Sequence, residues 1–214
     1  SKWDWNAGID GKMILSTSMN LDLTVNPDYS QVEVDRQQID LDRFELFYPE
    51  KRQFFLENSD LFSNLGKRGI EPFFSRRVGL NVPVNAGLRL TGRFGDRWRI
   101  GLMDIQTGSK NTIPSCNYGV TILQRNVFSR SSVVGFMVNK QVTGSYNELD
   151  EITKYNRVGG IEFNLANNDN RWTGKAFYHQ SFYPGASADD AAAGTNLTYN
   201  SQYLKASIDQ AWVG

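Results

Sequence analysis

The feature that most restricts this chain is an alternation of apolar and polar side chains that recurs segment after segment. Trp3, Trp5, Ala7, Ile9, Met13 and Leu15 fall on one face, with Asp4, Asn6, Asp10 and Lys12 on the other. That is the two-residue period of a β-strand. Ser16-Thr17-Ser18 supplies a turn. Met19, Leu21, Leu23 and Val25 then share a face opposite Asn20, Asp22 and Thr24, which makes a hairpin.

Three more hairpins follow. Leu88, Leu90 and Phe94 run into Gly95-Asp96, and Trp98, Ile100 and Leu102 run out. Tyr118, Val120 and Ile122 turn near 128–131 into Val134, Phe136 and Val138, while Ile161, Phe163 and Leu165 turn through Asn167-Asn168-Asp169-Asn170 into Trp172, Ala176 and Tyr178. A last long strand is expected from Thr195 to Trp212. Together these give an antiparallel meander of about nine strands, with no amphipathic helix long enough for a βαβ unit.

Several of the strands reach about 9 to 13 residues, whereas globular strands cluster near 5 to 6 and membrane-barrel strands need about 9 to 11. The pattern therefore predicts an all-β fold: the up-and-down meander of an outer-membrane β-barrel, here a partial barrel. Alternation alone also suits a soluble β-sandwich, which binds carbohydrate in the competing reading. Trp3, Trp5, Trp98, Trp172 and Trp212 fall near strand ends, where an interfacial girdle would place them, and a protein core would suit them equally.

Composition removes other classes. The 23 basic and 23 acidic residues balance, so there is no basic footprint for nucleic acid. Cys116 is the single cysteine and His179 the single histidine, which leaves no zinc-ligand cluster, and no cofactor is expected. No apolar run approaches the roughly 20 residues of a membrane-spanning helix. At 214 residues one domain is expected, read as a fragment of a longer chain.

Residues 35–80 depart from the meander and are expected to be an inserted plug-like or loop element, partly helical around 49–59. Between Asp35 and Arg77 this element carries eight acidic and eight basic residues, together with Phe44, Phe47, Phe54, Phe55, Phe62, Phe73 and Phe74. A balanced charge network suits a polar barrel lumen because buried charges must be paired. The candidate network is Arg36, Arg43, Glu45, Glu50, Lys51, Arg52, Glu57, Asp60, Arg76 and Arg77. If the element gates a pore, deleting 46–64 should raise conductance.

Enzymatic signals are weak. Glu50 with Glu57, or Asp40 with Asp42, could pair as acid and base of a glycoside hydrolase, but acidic pairs are common in charged loops. There is no nucleophile elbow, phosphate-binding glycine loop or metal motif. His179, Cys116 and the triplet Asn196-Leu197-Thr198 are assigned no role, and no catalytic or metal residues are expected.

Three runs carry a resemblance: LTVNPDYSQVEVD at 23–35, RFELFYPEKRQFFLENSDLF at 43–62, and PFFSRRVG at 72–79. They resemble an uncharacterised family of Gram-negative outer-membrane proteins. Members look like a secreted, family-nine carbohydrate-binding-like module followed by a large C-terminal β-barrel domain of unknown function. The resemblance is densest over about 20–145, and the stretch 86–106, with Gly92, Gly101 and Met103, is similar to the family's next hairpin.

What it implies is residence in the bacterial outer membrane, contact with outer-membrane lipid, and a role in solute passage or as a scaffold. Other outer-membrane or periplasmic proteins are further candidate partners. Carbohydrate binding would come through a module that these residues do not include, so it does not carry over to them.

Overall fold

The computed structural model describes residues 7–27, 50–144 and 154–214. Ten strands run as β1 (Ile9–Ser16), β2 (Met19–Val25), β3 (Val84–Phe94), β4 (Trp98–Thr107), β5 (Cys116–Val127), β6 (Ser131–Val142), β7 (Tyr155–Ala166), β8 (Trp172–Phe182), β9 (Ala191–Asn200) and β10 (Lys205–Val213). Among the described residues between β2 and β3 lie two short helices, α1 (Gln53–Leu56) and α2 (Ser59–Ser63), and a 3-10 turn at Ser75–Arg77. The strands make one sheet in the order β1 to β10, every neighbouring pair antiparallel. The all-β antiparallel meander is thus observed, as an open sheet whose edges are β1 and β10.

Two expectations need adjustment. The single long strand from Thr195 to Trp212 is a hairpin, β9 and β10, folded at 201–204, where Ser201 Oγ accepts a hydrogen bond from Leu204 N at 3.1 Å. The helical stretch expected around 49–59 is two shorter helices. Asn58 interrupts them in the left-handed region (φ 51°), and its amide donates to Thr91 Oγ1 at 3.0 Å. Trp3 and Trp5 lie outside the described residues.

The connections differ systematically between the two ends of the sheet. At one end the turns are short: 17–18, 95–97, 128–130, 167–171 and 201–204. Longer connections, 108–115 and 183–190, lie at the other end, where β6 ends, β7 begins and the segment between β2 and β3 also leaves.

Registration sorts the side chains into two faces. One face carries the row Lys12, Asp22, Arg89, Met103, Val120, Val138 and Val158, and the row Thr91, Gly101, Ile122, Phe136, Gly160 and His179. Residues 50–83, called here the strap, lie across this covered face. Phe55, Leu61, Phe62 and Leu65 of the strap form one buried cluster with Met103, Ile105, Val120, Ile122, Val134 and Phe136 of the sheet. Glycines make room for its rings. A Cβ on Gly87 would sit 3.1 Å from Phe54, and one on Gly101 would sit 3.0 Å from Phe62.

The open face reverses the usual arrangement. On β2, Asp22 and Thr24 are buried, while Leu23 and Val25 of the alternate face are exposed. Met13, Leu88, Leu123, Met137, Ile161, Tyr178, Leu197, Ile208 and Trp212 extend this exposed apolar surface from β1 to β10. Monomeric soluble proteins rarely expose contiguous apolar patches larger than a few hundred Å².

The two faces predict opposite responses to one added methyl group. A Cβ on Gly160 would stand 2.7 Å from His179, Phe136 and the Tyr178 carbonyl, whereas one on Gly135 meets nothing within 4 Å. Gly160→Ala should therefore cost about 1–3 kcal/mol and Gly135→Ala about 0.5 kcal/mol or less. Urea midpoints of the two variants check this, and equal midpoints would contradict the face assignment.

Candidate functional site beneath the strap

The strap is fixed to the sheet by ionic and hydrogen-bonded ties that follow the order of the strands. Glu57 meets Lys12 on β1, and its backbone carbonyl accepts from Arg89 Nη1 on β3 at 2.7 Å. Arg89 is 1% exposed, bonds Asp22 Oδ2 on β2 at 2.8 Å and lies over the Phe54 ring at 5.3 Å. Further along, Asp60 pairs with Arg99 of β4 at 2.8 Å. Gly66 N then donates to Glu162 of β7 at 2.5 Å, and Lys67 pairs with Asp209 of β10.

Glu162 is the centre of the densest group. It is 1% exposed and, besides Gly66 N, it bonds His179 Nε2 at 2.9 Å and Lys175 Nζ at 3.0 Å. Lys175 also donates to the backbone carbonyls of Asn64 and Gly66, so it ties Glu162 to the strap. The His179 ring is packed between Phe136, edge-on at 4.9 Å, and Phe177 at 4.7 Å. A buried carboxylate with three donors is compensated by geometry and charge together.

A second knot closes the strap on itself. Glu50 holds Arg52 through Nε–Oε1 at 2.9 Å and Nη2–Oε2 at 2.8 Å, and Ser75 Oγ donates to Glu50 Oε2 at 2.7 Å. Arg52 in turn donates to the carbonyls of Val78 at 2.6 Å and Ser75 at 2.7 Å, with its guanidinium 4.2 Å from the Phe55 ring centroid. Burial opposes the charge on Glu50, but the Arg52 hydrogen bonds and charge, with Ser75, outweigh it and hold the carboxyl below its ordinary value.

A folded pKa below the unfolded one means that Glu50 stabilises fully above the ordinary carboxylate range. That contribution is lost as pH falls through the lowered folded value. Glu50→Gln should therefore lower stability at pH 7 and flatten the acid limb of a stability-versus-pH curve below about pH 4. Chemical denaturation at pH 7, 5 and 3 checks this. A parallel acid limb in the variant would mean that the knot contributes nothing.

Of the ten charged residues read from the sequence, Arg36, Arg43 and Glu45 lie outside the described residues. Glu50 and Arg52 are joined in the knot, while Glu57 and Asp60 tie the strap to the sheet. Lys51 is exposed beside the knot, and Arg76 and Arg77 sit in the 3-10 turn. Sequence reasoning missed the strand residues that hold the strap: Lys12, Arg89 and Arg99, which meet Glu57 and Asp60, Asp22 beside Arg89, and the group Glu162, Lys175 and His179. The available signal was that each falls on the face opposite the apolar one.

Between strap and sheet lies a cavity of about 490 Å³. Asp60, Ser63, Asn64, Lys67, Arg68 and Glu71 line it from the strap. From the sheet come Arg99, Gln124, Ser132, Asn164, Glu162 and Lys175, residues near the short-turn ends of β4 to β8. Among the described residues no group of three or more His, Cys, Asp or Glu side chains is placed to hold a metal ion.

Residues 1–90 match one family model, a domain of unknown function (DUF5916). The DUF5916 match takes in β1, β2, the described strap and β3 as far as Leu90, so every strap residue named above falls within it. Glu162, Lys175 and His179 fall beyond it. No curated protein and no solved structure matches the chain.

Proposed function

We propose that this chain forms part of the wall of a bacterial outer-membrane β-barrel, with its open face toward lipid and the strap fixed inside the lumen. The role is passage of a solute past the strap, or that of a rigid scaffold. The observation that carries the reading is the apolar open face, with exposed apolar side chains on nine of the ten strands while charged side chains are buried opposite.

On β7 the open face runs from Tyr155 to Leu165. Those ten steps of about 3.4 Å, tilted by about 40°, give a height of ~26 Å, close to the apolar band of membrane barrels.

The borders of the band also fit. Arg157 lies over Tyr155 at 4.6 Å near the long-connection end, and Arg125 over Trp98 at 5.2 Å near the short-turn end. Phe94, Phe128 and Tyr203 are strongly exposed at or beside the short turns. Aromatic rings with arginines beside them suit the headgroup region, and short turns on one side with longer loops on the other match periplasmic and extracellular ends.

The hydrolase reading finds less support. Glu50 is bound to Arg52 and held ionised, the opposite of what a proton-donating acid needs.

Ile161 provides a test. It is 57% exposed on the open face. Against lipid, Ile161→Lys should cost about 2–4 kcal/mol, whereas on a water-facing surface the change stays within about 0.5 kcal/mol. Unfolding of the full-length protein in lipid vesicles distinguishes the two, and an unchanged midpoint would sink the lipid-facing assignment.

A further inference from the structure

We infer that the cavity beneath the strap is a binding site for a small amphoteric solute, one carrying both a carboxylate and an ammonium group, as an amino acid or short peptide does. The argument rests on which lining charges are already satisfied. Asp60 is paired with Arg99, Glu162 with Lys175 and His179, and Lys67 with Asp209. Arg68 and Glu71 line the same cavity, and neither has a hydrogen bond or ion pair among the described residues.

These two charges are opposite in sign and are presented together. Arg68 stands within the tight turn in which Lys67 N donates to Ile70 O at 3.2 Å and Ile70 N donates to Lys67 O at 2.8 Å, with Gly69 at φ 86°, and Glu71 follows it. A simple anion answers only Arg68 of the cavity lining, and a simple cation only Glu71. A solute with both charges satisfies each.

Arg99 strengthens the carboxylate side. Only its Nη1 is used on Asp60, which leaves further guanidinium donors for a planar carboxylate. Ser63, Gln124 and Asn164 add uncharged donors and acceptors of the kind a peptide amide needs. About 490 Å³ lies within the ordinary range for small-molecule sites. The inference rests on the barrel reading only for access, which would be from the short-turn side.

The test is calorimetric titration of the full-length protein with glycylglycine, succinate and 1,4-diaminobutane, after circular dichroism has established in which medium its sheet forms. Glycylglycine should bind at sub-millimolar concentration, with the dicarboxylate and the diamine about ten-fold weaker or more. Arg68→Ala and Glu71→Gln should each weaken it about ten-fold and leave the unfolding midpoint unchanged, since both side chains are exposed. No heat with glycylglycine up to about 10 mM, or succinate binding as tightly, overturns the inference. A sheet that forms in buffer alone counts against the lipid-facing wall, while the titration, then run in buffer, still decides the binding site.

Discussion

Glu162→Ala is expected to destabilise the fold by about 3–5 kcal/mol, because it strips the counter-charge from groups that are already out of water. The carboxylate is 1% exposed and His179 4% exposed, so neither the imidazole nor Gly66 N has solvent to turn to. Lys175 is also left without the carboxylate that joins strap to sheet. Glu162→Gln preserves the shape and part of the hydrogen bonding and should cost less, with the gap between the two variants reporting on packing against charge. Equilibrium unfolding in a membrane mimetic measures both. A loss under about 1 kcal/mol for the alanine variant would mean that the cluster is hydrated and the strap loosely held.

The second large effect is expected at Phe62→Ala, again about 3–5 kcal/mol. Phe62 is 4% exposed, belongs to the buried cluster and fills the space over Gly101. The buried cluster has strap side chains on one side and sheet side chains on the other. The strap is therefore a structural half of that core, and removing it should unmake the domain before it widens any passage. For that reason the 46–64 deletion is expected to lose sheet structure, which circular dichroism would record, and conductance alone would mislead. A Phe62→Ala variant as stable as the parent would restore the picture of a swinging gate.

The two-residue period made the hairpins legible because strand pairing in a meander is local. Gly95-Asp96 and Asn167–Asn170 mark turns that the fold uses, and the opposition of Asp22 and Thr24 to Leu23 and Val25 was visible from spacing alone. The fold at 201–204 was not, because Ser201-Gln202-Tyr203-Leu204 has no glycine or proline and is held by a serine side chain.

The site was harder to read than the sheet. Glu162 and His179 are brought into contact by the β7–β8 register, and Gly66 reaches them from a segment with no period of its own. The ties from Lys12–Glu57 through to Lys67–Asp209 depend on the path of the strap across the sheet, a tertiary fact that local spacing does not encode.

The central claim is that the exposed apolar face meets lipid, and the most direct measurement is the micelle dependence of folding. The 214-residue chain is followed by solubility and β-sheet circular dichroism, with and without detergent micelles. The account predicts that soluble sheet structure requires the micelle. Sheet structure and a monodisperse monomer in plain buffer would contradict it, and would turn attention to a soluble carbohydrate-binding sheet.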